Sequence, residues 1–168
     1  MISCFASPSV RAQRRANLKA PSFASAPELQ KNAFDAKDRY GDKGYALRLI
    51  YSVASKNPAF GGLWMRLNNL DASRFDALAF RVRGDAGMGF TKTFKVELKD
   101  SIDQSSHHYV NNVTDQWQDV VIPLSAFEGM SNARRLKELV IVIEDTTATA
   151  KQGVIYLDDI RFVNSGPR

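Results

Sequence analysis

The fold is decided by the run Gly153-Val154-Ile155-Tyr156-Leu157-Asp158-Asp159-Ile160-Arg161-Phe162, near the end of the sequence. In an extended strand, successive side chains point to opposite faces. Ile155 and Leu157 therefore share one face, whereas Ile160 and Phe162 share the other. The apolar residues change face at the pair of aspartates between them, which predicts a bulge or a strand that crosses the corner of a β-sandwich.

The two adjacent carboxylates in this strand need compensating partners, because a buried carboxylate is costly unless it is paired, hydrogen-bonded or bound to a metal. One interpretation is a structural calcium ion held by Asp158, Asp42 and backbone carbonyls, since residues 38–44 contain two acids and two glycines suited to a tight, ligand-bearing turn. The other is hydrogen bonding to backbone N–H groups, or pairing with Arg161 and Lys43.

Apolar residues alternate with polar ones along most of the chain after residue 45. The clearest apolar sets are Leu47, Leu49 and Tyr51; Leu63, Met65 and Leu67; Leu78, Phe80 and Val82; and Phe94, Val96 and Leu98. Further strands are predicted at residues 109–113, 117–122, 136–143 and 154–162, with turn-forming residues between them. At least eight strands with no long helix predict an all-β, antiparallel β-sandwich or jelly roll.

The net charge of +5 comes mostly from one end of the chain. Residues 1–27 hold four basic residues and no acid, and without them 19 basic residues face 18 acidic ones. Such a body lacks the basic face that nucleic-acid binding needs, and no stretch is apolar enough to span a bilayer. We therefore expect neither partner, and divide the chain into a disordered leader or linker (residues 1–27) and a β-sandwich domain (residues 28–168). An organellar transit peptide is an alternative for the leader.

Several motifs follow one another in a fixed order. They are Gly44-Tyr45-Ala46-Leu47-Arg48-Leu49, Gly61-Gly62-Leu63-Trp64, the run LDASRFDALAFRVRG from Leu70 to Gly84, the run WQDVVIPLSAF from Trp117 to Phe127, and Tyr156-Leu157-Asp158-Asp159-Ile160. Together they resemble the galactose-binding-like jelly-roll carbohydrate-binding modules, most nearly the family eleven β-glucan-binding modules and more distantly the complex I intermediate-associated proteins.

This resemblance implies a jelly roll that binds sugars without catalysis, and it makes Asp158 the more expected ligand of a structural calcium. Such modules usually open with a strand that carries an acid after a Phe. In this sequence the corresponding positions are Phe34-Asp35, which is out of register, or Ser22-Phe23, which has no acid.

Trp64 is the strongest candidate for ligand contact, because by alternation it faces away from Leu63 and Met65. Sugar rings stack their C–H face on flat aromatic side chains, and charged groups bind the hydroxyls at their rim. The residues expected to line an open groove on the concave sheet are Trp64, Arg66, Arg81, Lys95, Glu97, His107 and Tyr109. The alternative is that Trp64 covers the edge of the core and that the basic side chains form a solvated face.

Different roles are expected within this groove. Trp64 and Tyr109 would stack on sugar rings, and the charged residues would bind hydroxyls or the carboxylate of a uronic acid. His107 and His108 are adjacent on a strand and point to opposite faces, so at most one joins the groove. Trp117 begins a strand and is assigned to the core.

We therefore predict a non-catalytic domain that binds a polysaccharide or oligosaccharide and brings an associated catalytic domain, in a longer chain, to its substrate. A second interpretation is a protein-interaction or assembly domain of the same fold. An enzyme is the third, with Glu97, His107 and Tyr109 as the candidates for acid–base chemistry.

Overall fold

The computed structural model describes residues 22–24 and 31–164, which form two antiparallel sheets with a shared core. The strands in this part of the chain are β1 Ser22–Ala24, β2 Lys31–Asp35, β3 Ala46–Ser52, β4 Phe60–Leu70, β5 Ala77–Gly84, β6 Phe94–Asp100, β7 Ser105–Val110, β8 Gln118–Pro123, β9 Leu136–Glu144 and β10 Gln152–Val163. One short 3₁₀ turn, Leu124–Ala126, follows β8. The predicted all-β antiparallel sandwich is confirmed.

Each sheet has five strands. We call β1-β4-β9-β6-β7 the front sheet and β2-β3-β10-β5-β8 the back sheet, in the order in which the strands are hydrogen-bonded. No helix in the described part of the chain is long and apolar enough to cross a membrane.

The core lies between the sheets and is filled by the inward members of the alternating sets. On β3 these are Leu47, Leu49 and Tyr51, all less than 9% exposed, and Phe94 on β6 is completely buried. Burying an aliphatic or aromatic side chain of this size stabilises the fold by about 1.5–3 kcal/mol relative to leaving it in water. The core therefore fixes which face of each strand remains outside.

The predicted bulge occurs in β10. Asp159 has a left-handed backbone (φ 52°), and the pairing of β10 with β5 shifts register between Asp158 and Arg161. This extra residue allows both Leu157 and Phe162 to reach the core, although they are an odd number of positions apart.

The beginning of the domain differs from the sequence-based boundary. Ser22–Ala24 were assigned to the leader, but they form β1, which pairs with β4. Lys31–Asp35 form β2 and pair with β3, so both candidate opening segments become strands, one in each sheet. The remainder of the predicted leader, and with it the transit-peptide alternative, lies outside the described residues.

The outer face of the back sheet is partly covered by residues 36–45, which connect β2 to β3. The backbone N–H of Tyr40 donates a 3.0 Å hydrogen bond to Asp158 on β10. The guanidinium of Arg81 on β5 lies 3.7 Å from the centre of the Tyr40 ring. These contacts hold the connection against the sheet.

Candidate functional site

Residues of four strands align in rows across the outer face of the front sheet. One row is Trp64, Val140, Glu97 and His107, on β4, β9, β6 and β7. The row on one side is Gly62, Val142, Lys95 and Tyr109, and the row on the other side is Arg66, Glu138, Lys99 and Ser105. Because neighbouring strands lie about 4.8 Å apart, each row crosses about 14 Å. That span is long enough for a few sugar rings.

Six of the seven predicted groove residues lie on this face: Trp64, Arg66, Lys95, Glu97, His107 and Tyr109. Arg81 does not. It belongs to β5 of the back sheet, where it binds Asp119 at 2.8 Å and Asp159 at 3.3 Å. The prediction that Arg81 lines the same groove was wrong, because alternation fixes the face of a strand but not the sheet that the strand joins.

Trp64 is half-buried on this outer face. The guanidinium of Arg66, two residues along β4, lies 5.4 Å from the centre of its ring. Beside it Val140 is only 3% exposed, although it alternates with core residues and faces outward. At Gly62 a Cβ atom would lie 1.8 Å from the carbonyl oxygen of Ile141, so the surface next to the indole consists of backbone.

Lys95 is the centre of a charged cluster. Its ammonium forms ion pairs with Glu97, at 3.0 Å, and with Glu144. Burial disfavours the ammonium, but its hydrogen bonds to Glu144 and Glu97 outweigh that effect and raise the pKa of Lys95 above its usual value. Lys95 therefore stays charged near neutral pH.

Tyr109 completes this cluster from β7. Its hydroxyl donates a 2.9 Å hydrogen bond to Glu144, and burial together with that carboxylate raises the pKa of the phenol. Glu144 was not among the predicted residues. Because Val140 and Val142 face outward, alternation predicts that Glu144 faces outward too. The predicted strand ended at residue 143, however, whereas β9 ends at Glu144.

The two histidines separate as expected. His107 joins the outer face, where its ring meets that of Tyr109 edge-on at 5.8 Å and its Nε2 lies 3.4 Å from Glu128. His108 points the other way, and its Nδ1 lies 3.1 Å from the carbonyl oxygen of Ala126. Only His107 can contribute to the face.

Positive and negative charges balance on this face once Glu144 is included. The three rows hold the basic residues Arg66, Lys95 and Lys99 and the acidic residues Glu97 and Glu138, and Glu144 lies next to them, two positions after Val142 on β9. Lys95, which faces two carboxylates, has little remaining attraction for an anion. The arrangement therefore gives a uronic acid no advantage over a neutral sugar.

Asp158, the expected calcium ligand, is 5% exposed and already hydrogen-bonded. Oδ2 accepts the N–H of Tyr40 at 3.0 Å and Oδ1 accepts the N–H of Asp159 at 2.7 Å. The neighbouring carboxylate of Asp159 pairs with Arg161 at 2.6 Å and with Arg81 at 3.3 Å.

The described side chains around Asp158 do not supply the oxygen ligands that a calcium ion needs. Within residues 22–24 and 31–164, no three His, Cys, Asp or Glu side chains come together in a way that could hold a metal, whereas Ca²⁺ takes 6–8 oxygen ligands. Asp42 is exposed, and its backbone carbonyl accepts a 2.6 Å hydrogen bond from Arg39. The contacts favour the interpretation with N–H groups and Arg161, and the calcium ion remains a prediction to be tested.

Trp117 does not lie in the core between the sheets. It packs with Ile50 against the buried residues Ala46, Val154 and Tyr156. These side chains alternate with inward-facing ones, so the group lies on the outer side of the back sheet. Trp117 was assigned to the core, but it lies in this separate apolar cluster, because the sequence does not show on which side of its sheet an indole is covered.

Comparison with known proteins gives a family and a fold. The family model described as carbohydrate binding domain 30 matches residues 19–164. No curated protein matches the chain.

Among solved structures, the family 11 carbohydrate-binding module of a cellulosomal cellulase of Clostridium thermocellum is 13% identical, with 93% of this chain and 94% of that chain covered and a TM-score of 0.68. The Clostridium thermocellum family 11 module in complex with a β-1,3-1,4-mixed-linked tetrasaccharide is also 13% identical, with 93% and 95% covered and a TM-score of 0.69. A β-1,2-glucanase from Parabacteroides distasonis is 18% identical, with 88% of this chain but 23% of that chain covered and a TM-score of 0.63. At these identities the likeness shows the fold.

Proposed function

The chain belongs to the carbohydrate binding domain 30 family, and on that premise we propose that it is a non-catalytic module that binds a polysaccharide along the outer face of the front sheet. The observation that carries the proposal is the row of Trp64, Val140, Glu97 and His107, which places an aromatic ring and polar groups in one line across four strands, on either side of the covered Val140. A sugar chain has the same alternation of apolar ring faces and polar rims.

In this arrangement the indole of Trp64 stacks on a sugar ring. Glu97 accepts hydrogen bonds from hydroxyls, and Lys95 donates to them. Arg66 is exposed, so its guanidinium can move aside or share the indole with the sugar. Binding of this kind is weak, because sugar hydroxyls exchange water for protein with a small net gain.

The Lys95 cluster supports binding over catalysis. Glu97 and Glu144 both hold the same ammonium, and the raised pKa of Lys95 keeps that ammonium charged. These ion pairs provide fixed hydrogen-bond partners for a ligand. We assign Glu97, His107 and Tyr109 to ligand contact.

Weak sugar binding is useful when the module is attached to an enzyme. One of the similar structures is a module of a cellulosomal cellulase. By analogy, we propose that this module keeps an associated catalytic domain close to its polymer, which raises the effective concentration of substrate without any new catalytic contact.

Affinity gel electrophoresis tests the proposal directly. The gels contain mixed-linked β-1,3-1,4-glucan, other neutral polysaccharides or a polyuronate, and the proteins are the wild type, Trp64→Ala and, as an aromatic control, Tyr45→Ala, whose ring is 52% exposed away from the rows. We expect retardation of the wild type and Tyr45→Ala in a neutral polymer, with binding weakened about tenfold or more in Trp64→Ala. Unretarded migration of the wild type in every polymer would contradict the proposal and favour the assembly-domain interpretation, which a pull-down would then examine.

A further inference from the structure

The outer face of the back sheet carries a second surface with exposed aromatic character. Tyr40 and Trp117 supply the rings and Asp119 supplies a carboxylate beside them, and we call these three residues the Tyr40 corner. We propose that the Tyr40 corner is a second sugar-binding site, which holds one or two neutral sugar rings on the opposite side of the sandwich from Trp64. The class of ligand rests on the proposed function, whereas the site itself rests on a separate set of contacts.

Tyr40 forms the floor of this corner. Its side chain is 42% exposed, although the guanidinium of Arg81 lies only 3.7 Å from the centre of the ring. Arg81 extends from β5 and its side chain is 20% exposed. The phenol is therefore supported by a cation from the sheet, while much of Tyr40 stays exposed to solvent.

This ring is held firmly in place. The backbone N–H of Tyr40 donates to the buried carboxylate of Asp158 at 3.0 Å. Arg81 beneath the ring is fixed by Asp119 at 2.8 Å and by Asp159 at 3.3 Å. A surface that is already ordered loses little conformational entropy on binding, which is the main cost that a weak ligand has to overcome.

Trp117 forms a wall next to the floor. Its ring centre lies 6.1 Å from that of Tyr40, and the two planes meet at 82°. The indole is positioned in turn by the guanidinium of Arg83, which lies 5.4 Å from its ring centre. A sugar ring that stacks on Tyr40 therefore meets an aromatic surface at its edge as well as below.

The rim supplies a hydrogen-bond acceptor. Asp119 is 67% exposed, and its Oδ1 binds Arg81, which leaves Oδ2 directed to a hydroxyl. Arg81 is balanced by two carboxylates, so it offers little to an anionic ligand. Flat aromatic side chains with a carboxylate at the rim are the chemistry that recognises a neutral sugar.

Two sites on opposite faces would let one module hold two polysaccharide chains, or two segments of one chain. The second contact would then act through effective concentration, and would strengthen attachment to a polymer more than attachment to a short oligosaccharide.

The two tryptophans of the chain provide a reporter on each face. In Trp64→Phe the remaining indole, Trp117, reports the Tyr40 corner, and in Trp117→Phe the remaining indole reports the front sheet. Each variant is checked for its circular dichroism spectrum and then titrated with tetrasaccharides of β-1,3-1,4-, β-1,4- and β-1,3-linked glucose while tryptophan emission is recorded.

We expect a saturable change in the emission of Trp117 in the Trp64→Phe protein. Adding Tyr40→Ala to that protein should raise the concentration for half-saturation about tenfold, whereas Tyr45→Ala, a matched exposed tyrosine outside the corner, should leave it unchanged. A response of Trp64 without any response of Trp117 would overturn the second site and leave the proposed function intact. A change in the emission of Trp117 alone would support the second site and overturn the front-sheet site. If neither indole changes its emission, both sites are overturned.

Discussion

The hydroxyl of Tyr109 donates a 2.9 Å hydrogen bond to Glu144, although the two residues lie on β7 and β9 with β6 between them. The other carboxylate oxygen of Glu144 pairs with Lys95 on the intervening strand. One carboxylate thus connects three strands of the face and fixes two groups that we assign to sugar contact.

Replacing Glu144 should weaken sugar binding without removing any group that touches the sugar. In Glu144→Ala, Lys95 and Tyr109 lose their common acceptor, so we expect about tenfold weaker binding and a loss of roughly 1–2 kcal/mol of unfolding free energy. Glu144→Gln keeps an acceptor for Tyr109 and should lose less. Calorimetric titration with a neutral oligosaccharide and urea unfolding measure the two effects, and Asp115→Ala, which removes an exposed carboxylate outside the rows, is the control. Equal binding by Glu144→Ala and the wild type would show that the carboxylate has no positioning role.

Tyr51 should make stability sensitive to alkaline pH. Its hydroxyl is buried, donates to the carbonyl of Ala150 at 3.2 Å, and has its pKa raised to about 12 by burial. An unfolded tyrosine ionises near pH 10, whereas the folded phenol stays neutral until about pH 12. Its contribution to stability is therefore fully present below about pH 10 and declines as the pH rises towards 12.

The measurement is the free energy of unfolding in urea at intervals between pH 8 and pH 11.5. We expect the wild type to lose stability more steeply than Tyr51→Phe above about pH 10. Parallel curves for the two proteins would show that this phenol is not the group responsible.

Asp158 should stabilise the fold through hydrogen bonds. It accepts two backbone N–H groups while 5% exposed, so Asp158→Ala leaves both donors without a partner and should cost about 2–4 kcal/mol. On this account EDTA does not change the melting temperature of the wild type. A decrease with EDTA that is reversed by added Ca²⁺ would instead establish the predicted calcium ion.

Gly62 should tolerate no side chain. A Cβ atom would lie 1.8 Å from the carbonyl oxygen of Ile141, so Gly62→Ala requires β4 and β9 to separate next to Trp64. We expect a loss of roughly 1–3 kcal/mol in stability, together with weaker sugar binding. Gly87→Ala is the matched control, since the nearest atom to its Cβ would be 3.4 Å away. Similar melting temperatures for the two variants would contradict the close strand contact.

Much of the fold could be predicted from alternation alone. The inward sets of β3 to β6 were identified correctly, because in each strand three apolar residues recur at every second position. The bulge in β10 was also predicted, since Leu157 and Phe162 cannot both face inward without an extra residue. Strand β7 was placed too late, at residues 109–113, because polar Ser106 and His108 on its inner side hide the alternation and Asn112 (φ 60°) lies beyond its end.

Less of the candidate site than of the fold could be predicted from the sequence. Alternation shows that Trp64 and Arg81 each face away from the core, but the sheet that each strand joins depends on pairing between distant segments. For that reason Arg81 was grouped with the wrong face. Glu144, whose carboxylate lies 2.9 Å from the Tyr109 hydroxyl, was missed because the predicted strand ended at residue 143. Trp117 was misplaced for a related reason, since a loop far away in the sequence covers it.

The central claim is that a polysaccharide binds along the rows of the front sheet, and NMR mapping tests it most directly. ¹⁵N-labelled protein is titrated with a soluble neutral oligosaccharide while the amide shifts of every strand and the indole N–H of Trp64 are followed. We predict that the largest shifts lie on β4, β9, β6 and β7, with Trp64, Glu97 and Lys95 among them. Shifts absent from these four strands, while the sugar binds elsewhere or not at all, would contradict the account.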